Sequence, residues 1–496
     1  MMNLKNSGIN DSNIDEVCKE LDKVLATKGL TRREALKIAG ISGAAFAFNP
    51  SEAEAATSLK ASTAKGKIVI VGGGAAGVST ASLILNKLDN ADVTVIEPHT
   101  QSVSYQPGQT LIAAGVWDGD ATLGNTEDFM PSGAKWIKDE VTDIDGDNNK
   151  VTTSKNGDIS YDYLIVAAGL QLDYGKIKGL ESIGSLKSME ESAAAAKLFG
   201  KSTGVNSIYF LEGSKATWDS MQEFVSRAKN EKVKGVFTHP NTPIKCGGAP
   251  KKIMYLTDAR LREAGNRNNA DLTFYPNGGK MFGVPEYHEA IVNQFKEREM
   301  KWNYKHNLVE VDVANKKAVF EHAYKVKGAW DEDLEEYEEI TKKDRVEVEY
   351  DFLHITPPMS APTSIAKSSV GSAKGWIPVN KETLQHVKYE NVFALGDIAA
   401  VPMGKTGGSV RKQYKVLVDN LISKMEKKTL NAKYGGYTVC PLITSIGTVM
   451  LAEFDWSKKP TPMVPLDPTQ ERWIWWILKV YMLKPMYFYG MLSGRA

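Results

Sequence analysis

The stretch Lys67-Ile68-Val69-Ile70-Val71-Gly72-Gly73-Gly74-Ala75-Ala76-Gly77 decides how this chain folds. Its first five residues read as a short buried strand, and Gly72, Gly74 and Gly77 then supply a G-x-G-x-x-G turn. From Val78 to Leu88 the apolar residues recur at helical spacing. A second apolar run, Val93-Thr94-Val95-Ile96, ends at the acidic Glu97. In such a β-α-β unit the glycines let the backbone approach a pyrophosphate, whose charge the helix N-terminus stabilises. The carboxylate after the second strand accepts ribose hydroxyls. Gly72, Gly74, Ala76, Gly77 and Glu97 are therefore the expected contacts of a bound dinucleotide.

Two further strand-and-glycine signals lie downstream. One is Tyr163-Leu164-Ile165-Val166-Ala167-Ala168-Gly169, where the chain returns to the same sheet; the other is Asn391-Val392-Phe393-Ala394-Leu395-Gly396-Asp397. Between them, strands such as Gly235–Thr238 and Asp271–Phe274 are legible, yet no G-x-G-x-x-G opens a helix. The most similar turn, Ile208-Tyr209-Phe210-Leu211-Glu212-Gly213-Ser214, lacks the glycines for close pyrophosphate approach. One dinucleotide is expected, and it is not NAD(P)H. Asp331 to Glu349 reads as a solvated hairpin or loop.

Three signals split by a long insertion resemble the two-dinucleotide-domain flavoproteins of the pyridine nucleotide–disulfide reductase superfamily. That resemblance implies FAD as cofactor, contacts at Ala168, Gly169 and Gly396, and Asp397 on the flavin ribityl chain. It also implies an α/β fold of two Rossmann-like domains, the second inserted in the first. The expected boundaries are 65–180 and 351–435 for the FAD domain and 181–350 for the insertion. Residues 436–496 follow as a C-terminal region, and 1–56 precede as a leader.

The 496 residues carry a net charge of +1, with 24% charged and 42% hydrophobic residues, so nothing suggests nucleic acid as partner. No Cys/His spacing suits a metal, and three cysteines are too few for a disulfide framework. Near the start, Thr31-Arg32-Arg33-Glu34-Ala35-Leu36-Lys37 precedes an apolar run, Ile38 to Phe48, and the small-x-small site Ala53-Glu54-Ala55. This pattern reads as a Tat export signal, and it predicts a periplasmic location at the inner membrane. Cys18 would leave with the leader, so Cys246 and Cys440 would remain.

Cys246 lies in Thr242-Pro243-Ile244-Lys245-Cys246-Gly247-Gly248-Ala249-Pro250-Lys251-Lys252, before a helix expected from Ile253 to Glu263. A cysteine at a helix N-terminus among three lysines should favour the thiolate. Cys440 lies in Tyr437-Thr438-Val439-Cys440-Pro441-Leu442. Two distant cysteines in an exported protein equally suit a structural disulfide, and spacing alone does not place them within bonding distance.

These two cysteine segments, with His354-Ile355-Thr356-Pro357-Pro358-Met359-Ser360, resemble sulfide:quinone oxidoreductases of the two-cysteine subgroup that includes the mitochondrial form. Ser104–Gly108, Lys381–Gln385 and Leu451–Asp455 match the same pattern. The likeness runs from about Lys65 to the C-terminus. The leader and Ile398, which stands where relatives commonly have cysteine, depart from it. The resemblance implies that sulfide attacks a Cys246–Cys440 disulfide or trisulfide and leaves a persulfide on Cys440. Cys246 then passes two electrons to FAD, and a quinone takes them on. It also implies that Lys405 lies near the flavin pyrimidine edge.

The last residues, from Trp473 to Leu492, are rich in aromatic and apolar side chains, interrupted by Lys479, Lys484 and Pro485. They read as an amphipathic segment lying in the membrane interface, where lipid and quinone meet the protein. A dimer contact or a core-packing helix pair is the alternative, and a homo-oligomer stays open. Competing functions are the flavoprotein subunit of flavocytochrome c sulfide dehydrogenase, a type II NADH:quinone reductase, and a non-catalytic persulfide-sensing flavoprotein.

Overall fold

The computed structural model describes residues 62–187, 191–331 and 336–495, with positions 19, 22–23, 25–27 and 29–31. Cys18, the twin arginines Arg32 and Arg33, and the site Ala53–Ala55 lie outside the described residues. The chain forms two compact units. One comprises Met1–Gly108, Asp120–Gln171 and Ser360–Ala496; the other comprises Gln109–Gly119 and Leu172–Met359.

The first unit is built on a five-stranded parallel sheet in the order Val392–Ala394, Tyr163–Val166, Lys67–Val71, Asp92–Ile96, Ala134–Ile137. Ile68, Val69 and Ile70 are fully buried, because a parallel strand is covered on both faces. Each such side chain contributes about 1.5–3 kcal/mol. Helix Ala75–Lys87 follows the first strand and starts earlier than the apolar periodicity predicts. Antiparallel strands Val141–Asp145, Lys150–Thr153 and Gly157–Ser160 add Ile144 and Val151 to the same core as Val69, Leu164 and Val392. Helix Gly407–Met425 leads into the antiparallel pair Thr438–Ser445 and Thr448–Phe454, which Glu471–Arg472 extends.

The second unit has its own five-stranded parallel sheet, ordered Val205–Asn206, Phe352–His354, Val233–His239, Ala270–Pro276, Lys301–Trp302. Helices Leu211–Arg227, Ala249–Glu263 and Pro285–Glu297 connect these strands. The charge-rich stretch forms one arm of a hairpin, Lys317–Asp331 against Glu336–Glu349.

The C-terminal run, expected to lie in the membrane interface, packs largely on the first unit. It consists of short helical turns, Trp473–Ile477, Leu478–Met482, Leu483–Pro485 and Met486–Met491. Ile474, Trp475, Ile477, Val480, Tyr487 and Phe488 are buried within the first unit. Lys479 and Lys484, which interrupt the apolar pattern, are interior too, at 1% and 3% exposure. Lys479 is accommodated because its ammonium donates to the Pro107 carbonyl at 2.8 Å and lies over the Tyr105 ring. Phe488 packs on Phe129 with ring centroids 5.1 Å apart. No helix among the described residues is long and apolar enough to cross a membrane.

Candidate active site

The first unit gathers the glycine signals at the ends of its parallel strands. Gly72 takes a left-handed φ of 106°, and a Cβ there would meet the Ala167 carbonyl oxygen at 2.6 Å. That contact seats the first glycine turn against Ala167-Ala168. Gly77 is equally confined, since a Cβ would lie 1.8 Å from the Gly72 carbonyl oxygen. Gly396 has a φ of 75°, and a Cβ there would reach the Ala76 Cβ at 3.3 Å. Three distant segments therefore converge.

Gly74 behaves differently, because a Cβ there would meet nothing within 4 Å. It is the N-cap of helix Ala75–Lys87 and has no side chain to cap the first N–H groups. Open space facing uncapped helix donors suits a pyrophosphate. Glu97 is held for its part: its carboxylate accepts from the Gly73 N–H at 2.8 Å and the His99 N–H at 2.9 Å. Each carboxylate oxygen keeps a further lone pair for a ribose hydroxyl. Gly169, at a φ of 67°, also borders open space. These residues fit FAD.

Asp397 follows Gly396 in a short 3-10 turn, and the Lys405 ammonium donates to the Asp397 carbonyl. Lys405 also sits over the Trp376 ring at 3.8 Å. Burial lowers the Lys405 ammonium to about 8, and the Asp397 charge acts in the opposite direction. Thr406 caps the next helix by accepting from the Ser409 N–H. Strand Thr438–Ser445 lies against the start of that helix, where a Cβ on Gly408 would meet Val439 at 2.2 Å. Cys440 lies on this strand opposite Ala452 and is buried, at 4% exposure.

Two residues of this region escaped the sequence reading. Trp376 carries no motif. Gln413, which accepts from the Gly396 N–H at 2.9 Å, was signalled by a polar residue on the apolar face shared with Val410 and Leu417.

Cys246 belongs to the second unit. It lies between strand Val233–His239 and helix Ala249–Glu263, half-buried, in a left-handed conformation with φ 51°. A non-glycine residue in that region holds about 1–2 kcal/mol of backbone strain, a feature that clusters at functional positions. The helix starts at Ala249 because Pro250 suits a first-turn position. Of the three flanking lysines, Lys252 reaches the sulfur, with Nζ 3.4 Å from Sγ. Lys251 donates instead to the Gly247 carbonyl at 3.1 Å. One ammonium at the sulfur and a helix N-terminus both favour a thiolate.

Elsewhere in this unit, the turn opening helix Leu211–Arg227 is filled by the chain itself. A Cβ on Gly213 would meet the Phe210 ring at 2.3 Å, and Phe210 is 2% exposed. Phe210 packs edge-on against Tyr174 and Phe199. The open cradle found at Gly74 has no counterpart at this turn.

Comparison with known proteins gives these features a context. The sequence profile of the family described as "Pyridine nucleotide-disulphide oxidoreductase" matches residues 24–205. The mitochondrial sulfide:quinone oxidoreductase of Mus musculus is 37% identical over 429 residues, spanning 86% of each chain. That of Dictyostelium discoideum is 38% identical over 433 residues, again 86% of each. The chain belongs to the sulfide:quinone oxidoreductase family. The solved structure of the sulfide:quinone oxidoreductase from Aquifex aeolicus shares the fold, with a TM-score of 0.66 at 18% identity. That superposition covers 86% of this chain and 92% of the other. Sulfide:quinone oxidoreductases are FAD-binding flavoproteins, in agreement with the cradle at Gly72–Gly77.

Proposed function

We propose that this chain oxidises sulfide to sulfane sulfur through Cys246 and Cys440 and passes the two electrons through FAD to a membrane quinone. The kinship over 86% of both chains carries the reading, and the lysine-flanked Cys246 supplies chemistry suited to it. Hydrosulfide attacks a sulfur bridge between the two cysteines; one S–S bond forms as another breaks, leaving a persulfide on Cys440 and a thiolate on Cys246. Lys252 holds that thiolate. FAD held by the Gly72–Gly77 cradle would supply the two-electron acceptor for the sulfur pair and the donor to quinone. Sulfane sulfur leaves to an acceptor or grows as polysulfide. The redox pairing of Cys246 with Cys440 rests on the family resemblance.

In this reading residues 65–180 and 351–435 hold FAD, through Gly72, Gly74, Ala76, Gly77, Glu97, Ala168, Gly169, Gly396, Asp397 and Lys405. Residues 181–350 carry Cys246 on a domain that takes no NAD, and 436–496 bring Cys440 and a C-terminal run that packs largely on the first unit and whose outward side chains, Tyr489 among them, are the proposed membrane contact. Tat export and a periplasmic site at the inner membrane belong to the same proposal, and they rest on Thr31–Ala55 alone. The curated relatives are named as mitochondrial. Sequencing the mature N-terminus from a membrane fraction decides the point: a start after Ala55 supports export, and an intact Arg32-Arg33 rules out cleavage.

The function is tested by steady-state reduction of a short-chain quinone. Sulfide is expected to drive turnover and NADH is not, since Phe210 fills the turn that a nicotinamide dinucleotide would need. Turnover with NADH and none with sulfide would replace this reading with a type II NADH:quinone reductase.

A further inference from the structure

The hairpin of Lys317–Asp331 against Glu336–Glu349 runs past the rest of its sheet. Strand His306–Asp312 pairs with it only from Lys317 to His322. From Ala323 outward the hairpin is therefore a two-stranded ribbon, which is marginal in water on its own. Strand Glu336–Glu349 forms the edge of this sheet, and every residue from Tyr337 to Arg345 is exposed. Trp330, Tyr337 and Ile340 are among the few large apolar side chains turned outward, at 50%, 48% and 45% exposure. Trp330 and Tyr337 pack together, with ring centroids 4.9 Å apart. Ile340 stands opposite Val326.

An open edge of this length invites pairing with any other strand, and charged side chains suppress that. Here their arrangement selects one partner. Glu338, Ile340 and Lys342 alternate onto one face of the strand. A Cβ on Gly328 would meet Ile340 Cδ1 at 2.9 Å and Glu338 Cβ at 3.0 Å, so the glycine keeps the neighbouring strand clear of both side chains. Most other charges nearby are engaged within the same chain. Lys325 pairs with Glu339, Lys343 with Glu321 and Arg345 with Glu310, and the Tyr324 hydroxyl donates to Asp344. Glu338 and Lys342 form no ion pair among the described residues. They stand at equal spacing on either side of Ile340.

That symmetry identifies the occupant. Across a two-fold axis residue i opposes j while j opposes i. In an antiparallel pair of these edges with Ile340 opposite its own copy, Glu338 meets Lys342 and Lys342 meets Glu338. Moving the axis to Thr341 would instead set Glu338 against Asp344, two like charges. We propose that two copies of this chain join through their Glu336–Glu349 edges, antiparallel, with Ile340 on the axis. The two ribbons then continue as one sheet, and the outward Ile340 side chains lie side by side.

Sedimentation analysis of the full chain is the test. The parent is expected at twice the 54.4 kDa of one chain. Ile340→Lys places two ammonium groups on the axis and is expected to sediment as a single chain. Glu338→Lys sets lysine against lysine in both pairs and is expected to weaken the dimer roughly thirtyfold. The exchange Glu338→Lys/Lys342→Glu restores both pairs and is expected to dimerise as the parent does. These side chains are all exposed, and native circular dichroism confirms that each variant is folded. A parent that sediments as one chain at micromolar concentration leaves the edge to a different partner and overturns the proposal. So does a dimer that survives Ile340→Lys and Glu338→Lys unchanged, or an exchange variant that stays monomeric.

Discussion

Two lysines do different work at the scale of single residues. Lys252, at 3.4 Å from the Cys246 sulfur, compensates a thiolate directly. Lys252→Gln is expected to slow alkylation of Cys246 at neutral pH roughly tenfold, as loss of one close opposite charge shifts a titration by about 1 unit. Peptide mass spectrometry of iodoacetamide-treated protein measures this, and unchanged labelling contradicts it. Lys405 has its ammonium lowered by burial to about 8 from an ordinary 10.5. The folded chain thus binds fewer protons than the unfolded chain between those two values. Stability therefore rises with pH across that window, while the cation itself disappears. In the proposed role of Lys405, a cation stabilising the reduced anionic flavin, quinone reduction is expected to decline as pH rises through about 8, and Lys405→Arg should carry activity to higher pH. A pH profile identical in Lys405→Arg rules out this role. The glycines and cysteines were legible in the sequence because each imposes its own local chemistry. Trp376 was not, because a ring beneath Lys405 is set by packing alone.

The strand–turn–helix beginning at Lys67 is the element on which cofactor binding depends. Gly74 faces open space while Gly77 is pressed on the Gly72 carbonyl, so the two positions should fail differently. Gly74→Val is expected to yield folded protein without flavin, shown by native circular dichroism and loss of the oxidised-flavin band. Gly77→Ala forces backbone apart and should destabilise the first unit itself by roughly 1–3 kcal/mol. A yellow Gly74→Val protein contradicts the assignment. Element boundaries were less legible than element types. Helix Ala75–Lys87 starts before Val78 because Ala75-Ala76-Gly77 has no amphipathic signal to read. Helix Ala249–Glu263 was expected only from Ile253 because Lys251 and Lys252 are polar in sequence, yet both are almost fully buried.

Over the whole molecule, the surprise is where the C-terminal run goes. Its composition resembles a membrane-interface segment, but its partners lie far off in sequence. Lys479 binds Pro107, 372 residues away, and the Ser82 hydroxyl donates to the Leu492 carbonyl, 410 residues away. Local pattern carries no information about such contacts, and so the packing of this run on the first unit was not legible in the sequence. Removing residues from Trp473 onward should therefore strip apolar cover from helix Ala75–Lys87 and lower the melting temperature or solubility. A truncated protein that melts as the full chain does would show the run to be a detachable anchor.

The central claim is that sulfide electrons enter through Cys246. The decisive measurement is the oxidised-flavin absorbance of the holoprotein under anaerobic conditions, as sulfide and then a quinone analogue are added, with Cys246→Ser alongside. The account predicts bleaching by sulfide, recovery with quinone, and neither change in the variant. Flavin that stays oxidised under sulfide, or a variant that bleaches as fast as the parent, would contradict it.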